Sequence, residues 1–215
     1  MTFPGHHNQG SWGLDGHWHI DGVTRYRCLH NTDVALLPIF LFSDVKPQGG
    51  GTALGEESQK FIARMMMERG CNSHGGVHAY QLSKEGGEYV DQSCRVIETT
   101  GEAGDVWLTH PFLVHGRSTN CGESIRFMCH PAVRWKEAPN YDPKALSPVE
   151  DAVTRVVGSV PSHDEHCLGG GKRKRRRGLM AEGQPQDRDD IVEEEDEELQ
   201  TMLGFGSFGK KKTKS

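Results

Sequence analysis

At 215 residues the chain has room for one ordinary domain with a sizeable core and a tail. Its formal charge is −5, and residues 1–168 hold 14 Lys/Arg against 20 Asp/Glu, a mildly acidic balance that argues against nucleic-acid binding by the folded body. With no run of about 18 apolar residues and no basic segment leading into an apolar one, neither a helical membrane span nor a signal peptide is expected, and the chain is assigned to an intracellular compartment, cytoplasmic or nuclear.

The first informative segment is His17-Trp18-His19-Ile20-Asp21. In an extended strand, residues two apart share a face, so His19 and Asp21 project together with Ile20 behind them. An imidazole and a carboxylate so placed are two of the three ligands of the facial triad, two histidines and one carboxylate, that holds iron in many oxygenases. A lone His-x-Asp is weak evidence, because such triplets arise by chance. For His17 a solvent or supporting role is expected.

Val34–Phe42 is nearly continuous apolar sequence and suits a buried strand, with Pro38 marking an irregularity. Glycine clusters at 49–51, 75–76 and 86–87 read as turns. Glu56–Arg69 places Phe61, Ile62, Met65 and Met66 at helical spacing, and Gly70 can close the helix; the methionines are read as core filling. Cys71-Asn72-Ser73-His74 with His78 lacks a second cysteine pair and is read as loop rather than a zinc site. All six cysteines lack regular spacing and are read as free thiols. Tyr89–Thr99, Asp105–Val114 and Ser124–Val133 are further strand expectations, and Gly104-Asp105 a tight turn. Many short strands with Gly-rich turns point to a sandwich or barrel. Ser147-Pro148-Val149-Glu150 is a capping box with Pro at the first helical position, and Val149, Val153, Val156 and Val157 form the stripe of the helix that follows.

His115 precedes a turn-like run, Gly116 to Gly122, after which Ser124–Met128 resumes a strand pattern. A hairpin centred between Asn120 and Cys121 would set His115 opposite Arg126 on one face. A third metal ligand beside a guanidinium has a chemical purpose. 2-Oxoglutarate chelates iron at one end, and its far carboxylate suits the planar fork of Arg. Taken singly, His115 is better explained as a satisfied buried histidine and Arg126 as an ordinary ion pair; it is the four residues together that favour a site.

These residues resemble the phytanoyl-CoA dioxygenase family of Fe(II)/2-oxoglutarate oxygenases. The likeness rests on Trp18-His19-Ile20-Asp21-Gly22, Gly49-Gly50-Gly51-Thr52-Ala53, Gly104-Asp105 through His110-Pro111 to His115-Gly116, Asn120 and Arg126, and spans roughly residues 12–158. The resemblance implies a double-stranded β-helix, a jelly-roll or cupin-like barrel with a few flanking helices. It implies iron at His19, Asp21 and His115, 2-oxoglutarate at Arg126, and O2 as the second co-substrate. Members commonly carry a Ser two residues after the second histidine; Arg117 stands there, so Ser118 is the substitute expected at the co-substrate, and Thr52 is expected to line the pocket. The reaction implied is hydroxylation of a small organic molecule, with 2-oxoglutarate converted to succinate and CO2. Members also carry a longer region before the His-x-Asp motif, where 18 residues precede His19 here. Either the chain is shortened or its barrel lacks the usual buttress, and missing strands would leave an open edge and an exposed core face.

The domain is expected to span 1–159 and a disordered tail 160–215. Within the tail, Lys172–Arg177 is six consecutive cations, a candidate for nuclear import or partner binding and equally well read as a solvated charge run, and Asp187–Glu198 holds nine carboxylates. Two other functions compete with the oxygenase: a cupin-like protein that binds a ligand or metal without turnover, and an interaction protein acting through its tail.

Overall fold

The structure, a computed structural model, describes residues 11–70 and 75–162. The readings made for Cys71–His74 and for the charged tail lie outside the described residues. Along the chain run β1 (Tyr26–Arg27), β2 (Leu37–Leu41), β3 (Thr52–Gly55), α1 (Ser58–Arg69), β4 (Val77–His78), α2 (Ala79–Ser93), β5 (Val96–Glu98), β6 (Val106–Thr109), β7 (His115–Arg117), β8 (Met128–Cys129) and α3 (Pro148–Val157).

Two three-stranded antiparallel sheets carry the architecture, ordered β5-β3-β7 and β6-β2-β8, and β1 pairs with β4 in a ribbon. Side chains from both larger sheets meet in one apolar cluster. Leu54 and Ile97 come from the first sheet; Ile39, Leu41, Trp107 and Met128 come from the second. The opposite face of β3 carries Ala53 into a second cluster with Ile62, Ala63, Met65 and Met66 of α1, and Leu82 and Val90 of α2. The β5-β3-β7 sheet therefore lies between the helices and the β6-β2-β8 sheet. Small antiparallel sheets and three helices are what the described residues form. The strands are two to five residues long, and among the described residues they form open sheets without closing into a barrel.

Other expectations are met in detail. Pro38 lies in β2 opposite Leu108, and β8 begins to pair only at Phe40, so the missing N–H falls where that edge carries no ladder from β8. Ser147 accepts from the Glu150 amide while the Glu150 carboxylate accepts from the Ser147 amide, which is the expected capping box. Gly70 caps α1, and Met65 and Met66 are buried. Gly104 has φ +105° in the tight turn before β6. No disulfide joins the described cysteines. No helix among the described residues is long and apolar enough to cross a membrane.

Three strand expectations need correction. Tyr89–Ser93 belongs to α2, leaving only Val96–Glu98 as strand. The buried stripe of α2 is Ala79, Leu82, Ser83, Gly86, Gly87 and Val90, mostly small residues that give a weak helical signal. Gly86 and Gly87 are packing positions rather than turns: a Cβ on Gly87 would come within 2.9 Å of Trp18 Cβ, and one on Gly86 within 3.0 Å of Val114. Asp105–Val114 stops being strand at Thr109, because Pro111 offers no N–H and the Leu113 amide turns back to the His110 carbonyl. Ser124–Val133 pairs as a ladder only at Met128–Cys129.

The 115–126 hairpin is also replaced. Strand β7 pairs with β3, β8 pairs with β2, and the two belong to different sheets. Both edges of β7 are already taken. Leu54 lies opposite His115 on one side, and His19 bridges His115 on the other.

An exposed apolar face is present as well. Val106 and Leu108 alternate outward from Trp107 on β6, and Phe42 and Phe127 lie exposed nearby, joined through the Phe42 amide and the Phe127 carbonyl.

Candidate metal centre

Alternation along residues 18–21 builds one side of the site. Trp18 and Ile20 are buried in the helix-facing cluster, while His19 and Asp21 are only partly covered. Exposing Trp18 and Ile20 instead would cost roughly 2–3 kcal/mol each, which fixes which face the two polar side chains take. The Trp18 indole N–H donates to Asp91 on α2 at 2.7 Å, so α2 pins the segment from behind.

The second histidine arrives through the backbone. His19 and His115 exchange both amide hydrogen bonds, at 2.8 and 2.9 Å, as a directly opposed antiparallel pair. Their rings therefore lie on one face, with centroids 4.3 Å apart. The residue before His115 is tied to α1, the Val114 amide donating to the Ser58 hydroxyl at 2.9 Å.

Asp21 is held by its own backbone. Arg27, 5% exposed, donates to the carbonyls of Ile20, Asp21, Gly22 and Thr24. Asp33 accepts from the Val23 and Thr24 amides on the same loop. Gly22 has φ +140°, and a Cβ there would collide with both Asp33 and Arg27. The loop after the carboxylate is thus wrapped around a guanidinium.

The three side chains converge. Ligand atoms of His19, Asp21 and His115 all lie within 4.8 Å of one another. Asp21 Oδ1 is 3.7 Å from His19 Nε2 and 3.5 Å from His115 Nε2. His19 Nδ1 faces the His17 carbonyl at 3.3 Å and His115 Nδ1 faces the Leu113 carbonyl at 2.9 Å. A carbonyl is satisfied only by an N–H, so in each neutral ring Nδ1 carries the proton and Nε2 the lone pair. His115 Nε2 is buried with no hydrogen-bond partner. With both rings neutral, two imidazole lone pairs and a carboxylate oxygen would face one another, a group that could hold a metal ion, and backbone carbonyls on the far nitrogens are the usual support for metal-ligating histidines.

Burial pushes His19 down to about 4, aided by His115 and opposed by Asp21, so the ring is neutral at pH 7. Burial would raise the Asp21 carboxyl, but hydrogen bonds from His115 and His130 and the positive charge those rings carry when protonated outweigh it and hold the group well below the usual carboxylate range, so it is ionised in the metal-free site.

The remaining sequence-predicted residues, Arg126, Thr52 and Ser118, have differing surroundings. Arg126 is buried and alternates with exposed Phe127, part-buried Met128 and exposed Cys129. Arg126, Met128 and His130 therefore share a face, and Met128 on that face packs between the sheets. Burial pushes the Arg126 guanidinium down to about 10, against the attraction of Glu98, leaving it charged at neutral pH. Thr52 is buried on β3, two residues from Leu54 and on the same face, its amide donating to the Thr99 hydroxyl at 2.8 Å. Ser118 falls on the opposite face of its strand from His115. Its hydroxyl donates to the Gly51 carbonyl and accepts from the Trp12 indole at 3.1 Å. His17 is exposed and contributes its carbonyl to His19.

His130 is the contact that motif reading missed. Its Nδ1 lies 3.3 Å from Asp21 Oδ2, and its ring meets His115 edge-on with centroids 6.0 Å apart. The signal was available in the period-2 alternation that places it on the face of Arg126. Arg27 had no such signal, since its role depends on a loop folding back over it.

No protein-family model, curated protein or solved structure matches this chain.

Proposed function

We propose that the chain is an Fe(II)- and 2-oxoglutarate-dependent dioxygenase acting on a small organic substrate. The observation that carries this reading is the convergence of His19 Nε2, His115 Nε2 and Asp21 Oδ1, with one imidazole nitrogen buried and unsatisfied. Two neutral imidazoles and one carboxylate suit Fe(II) and leave other coordination positions open. The same donor set, two imidazoles with a carboxylate, also suits zinc, and Arg126 favours the oxygenase. A buried guanidinium on the face of His130 offers a far carboxylate a bidentate partner in a low-dielectric setting. When bound, iron and 2-oxoglutarate supply activation of O2 coupled to decarboxylation of the 2-oxo acid.

The chain's own residues bind, orient and shield. His19, Asp21 and His115 hold the ion. The apolar cluster of Leu54, Leu113 and Met128 keeps water from one side of the ligand strands. Arg126 would take the distal carboxylate, with Thr52 on the same wall as His115. Ser118, committed to Gly51 and Trp12, braces the turn at Gly51.

Anaerobic addition of Fe(II) and then 2-oxoglutarate, followed by an assay for succinate in air, tests the reading. His115→Ala is expected to abolish iron binding. Arg126→Ala is expected to spare iron and weaken 2-oxoglutarate by about tenfold or more, in line with loss of a charged hydrogen-bond pair worth roughly 1.5–3 kcal/mol. Unreduced succinate output from both variants would refute the assignment. The open sheets and the engaged Ser118 hydroxyl favour a second reading, a metal-binding protein without turnover, which the same experiment identifies by iron uptake with no succinate.

A further inference from the structure

The two oxygens of Asp21 have different neighbours. Oδ1 faces the Nε2 atoms of both His19 and His115. Oδ2 lies 3.3 Å from His130 Nδ1. His130 comes from the opposite sheet: it follows β8, whose Met128 and Cys129 pair with Leu41 and Phe40 of β2. Pro131 follows it, and a residue before proline is restricted to extended backbone, so the approach of His130 to Asp21 is pre-set. Its side chain is about one-third exposed, which leaves it outside the packed core.

We infer that His130 is a positioning residue that holds Asp21 Oδ2 by a hydrogen bond and so keeps the carboxylate monodentate toward a metal at Oδ1. The inference rests on the metal reading proposed above and deepens it. A carboxylate with both oxygens unrestrained can swing to chelate an ion through both. That swing would consume a coordination position needed by a co-substrate. His130, donating from Nδ1, prevents it by occupying Oδ2, in the way that outer hydrogen bonds orient ligating groups in metal sites generally. His130 closes the site from the β6-β2-β8 sheet, while His19 and His115 are offered by the other, so this hydrogen bond also ties the two sheets together at the ligand cluster.

The test compares His130→Leu with His130→Asn in the full chain, using Co(II) as probe. An Asn amide nitrogen can stand where Nδ1 stands and donate the same hydrogen bond; Leu cannot. Three quantities are read: Co(II) affinity, the ligand-field absorption that reports coordination number, and 2-oxoglutarate affinity of the Co(II)-loaded protein. The expected result for His130→Leu is Co(II) affinity about tenfold weaker, a spectrum shifted toward higher coordination, and weakened 2-oxoglutarate binding. His130→Asn is expected to keep the unmodified spectrum and an affinity within about threefold of the unmodified chain. Wild-type affinity and spectrum in both variants would overturn the inference while leaving the metal site standing. Equal loss of binding in both would overturn it too, by making His130 a direct ligand. If the unmodified chain takes up no Co(II), the metal reading fails and this one with it.

Discussion

At the scale of single residues, the site is a set of polar groups whose ordinary partners are already assigned elsewhere. Both ligand histidines give Nδ1 to a backbone carbonyl, and Asp21 has its loop clamped by Arg27. Replacing Arg27 with Met should leave the carbonyls of residues 20, 21, 22 and 24 without that donor, at roughly 1–3 kcal/mol for each one that stays buried and is not rescued by water. Lower stability together with weaker metal binding is the expected pair of results, read by urea unfolding and metal titration; unchanged metal affinity would remove Arg27 from the site. Protonation gives an independent check. Burial pushes both His19 and His110 down to about 4, whereas an unfolded histidine titrates near 6.5. Between those values the unfolded chain binds more protons than the folded one, so stability rises with pH across that window. It is complete above about 6.5 and is lost as pH falls toward 4, by roughly 1–3 kcal/mol for each group. Urea midpoints of the metal-free chain at pH 7 and pH 4.5 measure this, and equal midpoints would contradict the burial of those rings.

At the scale of elements, legibility followed the strength of the periodic signal. Helices α1 and α3 could be read because bulky apolar side chains repeat at helical spacing and a capping box marks the start of α3. Helix α2 could not, because its buried face is largely Gly, Ala and Ser and its glycine pair imitates a turn. Yet α2 is what backs the ligand strand. Gly87→Val would drive a side chain into Trp18, where a Cβ alone already lies within 2.9 Å. Overpacking of this kind costs about 1–3 kcal/mol, and since Trp18 adjoins His19, metal affinity should fall as well. Ser147→Ala, which breaks the cap of α3 far along the chain from any ligand, should cost about 1 kcal/mol and leave metal affinity unchanged. Thermal unfolding paired with metal titration separates the two; matching losses of affinity in both variants would contradict the buttressing role of α2.

At the scale of the whole molecule, the three side chains that converge were legible and the way they meet was not. His19 and Asp21 follow from period-2 alternation alone. His115 was expected as a distant partner, but the hairpin meant to set it beside Arg126 does not exist, because β7 gives one edge to β3 and the other to His19. Partner choice among strands of two to five residues depends on long-range packing, which no local pattern encodes. Arg126 still comes to a buried position by running alongside β2 in the other sheet, and His130 comes with it. His115 thus comes from one sheet, while Arg126 and His130 flank β8 of the other, His130 within 3.3 Å of Asp21. An ion that binds only this folded arrangement must stabilise it, by about 2.7 kcal/mol at a free concentration roughly one hundred times its Kd.

The most direct measurement is an anaerobic Fe(II) titration of the unmodified chain beside His19→Ala, Asp21→Ala and His115→Ala, each first confirmed as folded by circular dichroism. One tightly held ion per unmodified chain, lost in every one of the three variants, is the predicted result. Iron taken up with the same stoichiometry and affinity by all four proteins would contradict a shared centre at these side chains.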